Sequence, residues 1–128
     1  MHVPSSATIR AMRKTTVLFL TLFLFTAAAG MAQVADGDQH WAQRAEGHVG
    51  GHAKPAHVDA AIAAYGRAVA QSPNDLEAHW KLLRAYRFKG VYTTSSEDEK
   101  KKIFGDAKSA GEKALAVLDK SIIAKGVT

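Results

Sequence analysis

Residues 61–92 read AIAAYGRAVAQSPNDLEAHWKLLRAYRFKGVY, and this stretch decides the fold. Apolar residues at three-and-four spacing precede Ser72-Pro73-Asn74-Asp75, and a second segment with a broad apolar surface follows it. Such spacing is typical of one buried helical face. Pro73 cannot continue a helix, and Asp75 can cap the next one. The stretch therefore predicts two helices that reverse direction at a proline turn.

Outward from this turn, the sequence predicts four helices and no strand, because no segment alternates convincingly with period two. Residues 33–39 are polar and expected to be loose. Gly90 is placed where a helix ends in a left-handed residue. Ser96 and Glu99 have the spacing of a capping box. The predicted helices run from Asp38 to near Gly47, from Ala56 to Gln71, over residues 76–89, and from Ser96 to Lys120. The fourth is expected to turn inward Ile103, Phe104, Ala107, Ala110, Ala114, Val117 and Leu118.

The N-terminal 32 residues have the three regions of a signal peptide. A basic stretch contains Arg10, Arg13 and Lys14, and residues 17–29 follow without a charge. Small residues then fit two cleavage frames, after Ala29 or after Ala32, and we favour the second, which makes Gln33 the mature N-terminus. The alternative is an uncleaved membrane anchor, although the apolar run is short for a spanning helix. Met12 is an alternative start.

Composition limits the class of protein. The chain has 128 residues, of which 47% are hydrophobic and 23% charged, as in one small globular domain. It contains no cysteine, which excludes disulfides, thiol nucleophiles and cysteine-based metal or haem sites. The leader carries three of the 17 basic residues and none of the 12 acidic ones, so the remainder has a net charge of +2. No basic run is interleaved with aromatic residues, and we therefore predict no nucleic-acid partner.

The spacing across the proline turn resembles the tetratricopeptide repeat. Small, aromatic and proline positions match the second half of one repeat and the first half of the next. The small residues would permit close helix packing, and the tyrosines would fill the gaps beside them. The matching positions are Ala61, Tyr65, Ala68, Pro73, Ala78, Leu82, Ala85, Tyr86, Gly90 and Tyr92.

The resemblance implies an all-α protein of antiparallel helix pairs, about one and a half repeats long, behind a signal peptide. Its domains would be the leader (1–32), a polar linker with a short helix (33–55), the helical repeat (56–120) and a tail (121–128). About three repeats are usually needed for stability, so the tail is expected to be a truncation point, or the open end pairs with another subunit. The acidic and basic insertion before the fourth helix is similar to an exported bacterial subgroup, which resembles the tetratricopeptide component associated with TRAP transporters.

In such repeats the first helix of each pair lines a concave groove. The resemblance therefore implies that five residues of the third helix form a peptide-binding groove: Glu77, Trp80, Arg84, Arg87 and Phe88. Helical geometry itself places residues 80, 84 and 87 on one stripe. An aromatic ring beside two guanidinium groups can hold an extended peptide or a carboxylate-bearing ligand. The alternative is that Trp80 belongs to the core and both arginines are only solvated.

No sequence pattern indicates catalysis, so we predict a non-enzymatic protein without a cofactor. His48 and His52 have a spacing that suits zinc or copper, but Gly50 and Gly51 between them disfavour the helix that this needs. The favoured interpretation is a periplasmic or extracellular scaffold for a protein or peptide partner, which would touch a membrane only through an uncleaved leader. One alternative is an assembly subunit that docks through its open C-terminal end, either on a second copy in a homo-oligomer or on a different subunit. The other alternative is a histidine-based metal carrier.

Overall fold

The computed structural model describes residues 28–93 and 96–126, and these residues form four helices. Within these ranges the only extended pairing is an isolated bridge between Val49 and His52, so the all-α prediction is confirmed. The predicted leader lies almost entirely outside the described residues. The helices are α1 (28–42), α2 (Pro55–Gln71), α3 (Leu76–Tyr92) and α4 (Glu97–Ala124).

Helix α1 differs most from the prediction. Residues 33–39 are helical, and Asp38 lies inside the helix instead of capping it, so both predictions were wrong. The side chain of Asp38 accepts hydrogen bonds from Tyr65 and Lys81 on two other helices, which gives it a role across the interface. Val34, four residues earlier, is buried against the same neighbours. Asp38 follows a segment without helical periodicity, so the sequence alone indicates a helix cap. Its hydrogen-bond partners on the other helices show its actual role.

The predicted turn between α2 and α3 is confirmed. Helix α2 ends at Gln71, and the Asp75 carboxylate accepts hydrogen bonds from the backbone N–H groups of Glu77 (2.9 Å) and Ala78 (3.3 Å). The ring of His79 lies 2.8 Å from the carbonyl oxygen of Pro73 and ties the turn to the first part of α3. Residues 72–75 therefore reverse the chain, and hydrogen bonds join Pro73 and Asp75 to the first part of α3.

Gly90 does not end α3. The helix continues to Tyr92, and Gly90 has no positive φ, so the predicted left-handed end was wrong. A Cβ atom at Gly90 would lie 2.6 Å from Cζ of Phe104 on α4. Gly90 is therefore needed for the close approach of the Phe104 ring from α4. In the sequence, a glycine that ends a helix cannot be distinguished from one that allows a close contact.

Helix α4 is longer than predicted and less buried. It continues through residues 121–124, which were assigned to the tail. Ser96 accepts a hydrogen bond from the backbone N–H of Glu99, as the capping box predicts. Ile103 is buried, whereas Phe104 and Leu118 are 43% and 40% exposed, less buried than predicted, although the Phe104 ring packs on Gly90 of α3. The predicted inward residues that are partly buried are Ala107, Ala110, Ala114 and Val117.

Contacts between the helix ends fix their directions. Lys89 near the end of α3 pairs with Asp59 near the start of α2, at 2.7 Å, so these two helices are antiparallel. Trp41 at the end of α1 meets Phe88 near the end of α3, which makes α1 and α3 neighbours with the same direction. Helix α4 packs on α3, again antiparallel. The core between the first three helices consists of Val34, Val58, Ala61, Tyr65, Ala68, Ala78, Leu82 and Ala85.

Candidate functional site

Trp80 and Arg84 meet on the side of α3 that faces α1. Trp80 is 49% exposed, so it is not a core residue. The guanidinium carbon of Arg84 lies 4.7 Å from the centroid of the Trp80 ring and 4.1 Å from that of Trp41 on α1. Cations at such distances from an indole are held by the electrostatic attraction of the ring. Arg84 therefore joins a ring from each helix.

Helix α1 and the turn after it supply the other half of the site. The guanidinium carbon of Arg44 lies 4.2 Å from the Trp41 ring centroid and 5.5 Å from that of Phe88. Trp41 and Phe88 make an edge-to-face contact at 5.6 Å. We call these five residues, Trp41, Arg44, Trp80, Arg84 and Phe88, the arginine–aromatic stack. The sequence identified its α3 members, but Trp41 and Arg44 were missed because nothing in the sequence places α1 beside α3.

The two guanidinium groups of the stack are not neutralised by direct ion pairs. Among the described residues, no carboxylate forms an ion pair with Arg44, Arg84 or Arg87. Arg44 donates one hydrogen bond, of 2.9 Å, to the carbonyl oxygen of Trp41. The Nε atoms of Arg44 and Arg84 are buried and have no hydrogen-bond partner. Arg87 is exposed, one turn beyond Arg84 on the same stripe.

Glu77, the remaining groove candidate, belongs to a polar network beside the stack. Its carboxylate lies 2.7 Å from Nζ of Lys81, and the same ammonium donates to Asp38 at 2.6 Å. Asp38 also accepts a 2.7 Å hydrogen bond from the hydroxyl of Tyr65, which is fully buried. The network links α1, α2 and α3 at one point. Lys81 is shared between two carboxylates, and the charge of Asp38 also acts on Arg84.

The network shifts the pKa values of its members. Burial alone would raise the pKa of Asp38, but the hydrogen bonds from Lys81 and Tyr65 outweigh it and hold that pKa below its ordinary value. Burial, together with the bond to Asp38, raises the pKa of Tyr65. Burial would lower the pKa of Lys81, but its two carboxylate partners raise it. The folded state therefore favours an ionised Asp38, a neutral Tyr65 and a charged Lys81.

The residues that carry the repeat resemblance lie mostly at helix contacts. Tyr86 is partly buried and Pro73 is exposed at the turn, while Gly90 contacts Phe104. Burial raises the pKa of Tyr86, and the charge of Asp106 on α4 adds to this. Tyr92 is 48% exposed, and the other six residues of this set have at most 6% exposure: Ala61, Tyr65, Ala68, Ala78, Leu82 and Ala85.

A concave region lies between α2 and α4, with α3 as its floor. It has a volume of 670 Å³ and is lined mainly by apolar side chains, among them Val69, Leu82, Tyr86 and Val117. It does not include any member of the arginine–aromatic stack, so the two regions are separate surfaces of the molecule.

The histidines do not converge on a metal site. His48 lies in the loop between α1 and α2, where its Nδ1 is 3.0 Å from the carbonyl oxygen of Ala45, and His52 pairs through its backbone with Val49. His40 and His57 approach each other more closely, with ring centroids 6.0 Å apart. Across the part of the chain that is described, no three or more histidine, aspartate or glutamate side chains are arranged to hold a metal ion.

Comparison with known proteins adds no family. The chain matches no protein-family model, no curated protein and no solved structure. In the segments that the structure covers, no helix combines the length and the apolar character needed to cross a bilayer.

Proposed function

We propose that this chain is an exported, non-catalytic scaffold of the tetratricopeptide type that binds a protein or peptide along the face shared by α1 and α3. The arginine–aromatic stack carries the proposal. Binding surfaces are enriched in tryptophan and arginine, and a half-exposed tryptophan held by a guanidinium is a pre-organised contact. Trp80 offers apolar area at the surface, and the arginines beside it offer planar hydrogen-bond donors.

The helix arrangement supports the repeat interpretation. Helices α1 and α2 form one antiparallel pair, α3 and α4 form another, and the first helices of the two pairs lie side by side. The buried alanines permit this close approach. Two pairs exceed the one and a half repeats expected from sequence, because α1 begins ten residues before the short helix predicted from Asp38 and packs on α2 and α3.

We propose export because the N-terminal 32 residues resemble a signal peptide. Cleavage of this leader would also remove the first residues of α1. Residues 28–32 are helical, and a Cβ at the buried Gly30 would lie 2.5 Å from Oγ of Ser72. Cleavage after Ala32 would remove this contact, whereas Val34 and Asp38 would remain. We therefore expect the exported protein to begin at Gln33 and to keep α1 docked. N-terminal sequencing of periplasmic or secreted protein tests this, and recovery of the protein only in the cytoplasm would contradict export.

A second candidate function is assembly through α4. The C-terminal half of this helix exposes Leu115 (60%), Leu118 (40%), Ile122 (39%) and Ile123 (68%). Large exposed apolar side chains clustered on one element are typical of an interface with another protein. Light scattering separates the two functions, because an obligate oligomer favours assembly and a monomer that binds a partner favours the α1/α3 face.

The experiment that tests the scaffold proposal is partner capture with and without the stack. The wild-type protein is cross-linked in its own cell envelope and captured beside Trp80→Ala and the double variant Arg84→Ala with Arg87→Ala. We expect both variants to lose specific partners. Val49→Ala is the matched control, since it also removes an exposed apolar side chain and lies outside both proposed surfaces. Retention of every partner by both stack variants would contradict the proposal.

A further inference from the structure

We infer that the ligand of the proposed α1/α3 surface is an acidic peptide segment, whose Asp or Glu side chains pair with Arg44, Arg84 and Arg87 while an apolar side chain lies on Trp80. The inference rests on the proposed function and specifies the chemistry of its partner.

The charge of the α1/α3 face favours an acidic ligand. The carboxylates nearest to the stack, Asp38 and Glu77, share the ammonium of Lys81, and Asp38 also holds the hydroxyl of Tyr65. The charge of Asp38 does attract Arg84, but both of its oxygens already accept hydrogen bonds. With Lys81 and the three arginines, the face has four basic groups against these two acidic ones, and its net positive charge is complementary to a negatively charged partner.

The arginine side chains are already held in place for binding. Stacking on Trp41 and Trp80 restrains the plane of the Arg84 guanidinium, and the 2.9 Å bond to the Trp41 carbonyl restrains Arg44. An arginine that is already held loses less side-chain entropy on binding. Its remaining N–H groups form the fork that suits a carboxylate. Arg87 extends the charge along the helix, so that a segment with more than one acidic residue can be held.

The apolar component distinguishes a peptide from a small carboxylate. Trp80 and Tyr92 are 49% and 48% exposed, and the Tyr92 ring packs on Phe88 of the stack with centroids 5.0 Å apart. A small ion would leave these rings in water, whereas a peptide of several residues can cover them. Arginines beside aromatic rings also suit single-stranded nucleic acid. We favour the peptide because the chain after the leader has a net charge of only +2 and is proposed to be exported.

The chain contains two tryptophans, and both belong to the stack, so their fluorescence reports binding at this surface. The full chain is titrated with a synthetic peptide of alternating Glu and Leu, and with the same peptide carrying Gln at every Glu. Glutarate and oligothymidine are the other two probes. We expect saturable binding of the Glu peptide alone, weakened at high salt because screening reduces the attraction.

Variants assign the binding to individual arginines. Arg84→Gln should weaken the Glu peptide about 10-fold, as for a charge-assisted hydrogen bond. Arg87→Gln should weaken it about 3-fold, as for an exposed ion pair. Arg87 makes no hydrogen bond or ion pair among the described residues, so its loss does not endanger folding. Lys120→Gln, an equal change of charge on the exposed part of α4, is the control and should leave the affinity unchanged.

Each other outcome overturns the inference. Equal binding of the Gln peptide would show a surface indifferent to charge. Glutarate or oligothymidine bound at least as tightly would identify a small carboxylate or a nucleic acid as the ligand. No fluorescence change with either peptide would exclude the acidic segment. The scaffold proposal is judged separately by the Trp80→Ala capture experiment, which stands whatever the charge of the partner.

Discussion

Single side chains explain why α1 packs where it does. Gly37 lies directly against the ring of Tyr65: a Cβ at Gly37 would be 2.4 Å from Cε1 and 2.6 Å from Cδ1. Tyr65 is fully buried and hydrogen-bonded to Asp38, so its ring has no space to move away. The glycine is therefore required for the close approach of α1 to α2.

This contact predicts opposite effects for two glycine substitutions. Gly37→Ala should destabilise the fold by about 1–3 kcal/mol through overpacking, despite the better helix propensity of alanine. Gly66→Ala is the matched control: it lies inside α2, and nothing is within 4 Å of its Cβ position. It should stabilise the fold by about 0.5–1 kcal/mol. Urea unfolding of both variants measures the difference, and equal stabilisation by both would show that α1 does not rest on Tyr65.

The Asp38 network predicts how stability depends on pH. The pKa of Asp38 is lowered in the folded state, so its contribution is present above the ordinary value of 3.8 and is lost as the pH falls through the folded pKa. The pKa of Lys81 is raised, so its contribution is present below 10.5 and is lost as the pH rises through the folded value. Neutral Tyr65 adds to the alkaline loss. We expect Asp38→Ala to reduce stability by about 2 kcal/mol at neutral pH.

Thermal melts across the pH range test this expectation. The wild-type protein should lose its advantage over Asp38→Ala in acid, because protonation removes the same interaction that the substitution removes. Asp36→Ala is the control, since Asp36 is on the same helix but pairs only with exposed Arg67 and His40. A constant difference between wild type and Asp38→Ala down to strongly acidic pH would contradict the assignment.

Whole elements depend on their ends, and the start of α3 is the clearest case. Asp75 accepts two backbone N–H bonds that have no partner within the helix. Asp75→Ala should cost about 1 kcal/mol, whereas Asp75→Asn should cost much less because asparagine also caps helices. Denaturant unfolding compares the two. Equal losses would show that the charge at the helix start, and not the hydrogen bonds, stabilises α3.

The elements also show how far the sequence could be interpreted. Helix α2, the proline turn and the cap of α3 were predictable because their signals are local: spacing, Pro73 and Asp75. The bounds and packing of helix α1 were not predictable, because the features that stabilise it are contacts with residues far along the chain. The hydrogen bond from Tyr65 to Asp38 is one of these contacts. Gly90 was wrongly predicted to end α3, because its role depends on contact with Phe104 on another helix. The α3 candidates came from the repeat resemblance, supported by helical spacing only at residues 80, 84 and 87, while Trp41 and Arg44 required knowledge of which helices are neighbours.

The molecule as a whole presents two surfaces on different helices. The arginine–aromatic stack lies where α1 meets α3, and it includes no residue of α4. The exposed apolar residues in the C-terminal half of α4 do not line the region between α2 and α4. Binding at one surface should therefore be independent of binding at the other.

This separation predicts that the two activities can be lost one at a time. The double variant Leu118→Glu with Ile122→Glu should abolish any self-association seen by light scattering, because charge is costly in an apolar interface. It should leave peptide binding at the stack within about twofold, as additivity holds for distant sites. Trp80→Ala should do the reverse. Monomer stability should fall by about 1–3 kcal/mol in the α4 variant, since Leu118 and Ile122 are only 40% and 39% exposed. A loss of peptide binding on disrupting α4 would mean that the ligand site is completed by a second subunit, and that assembly and recognition are one function.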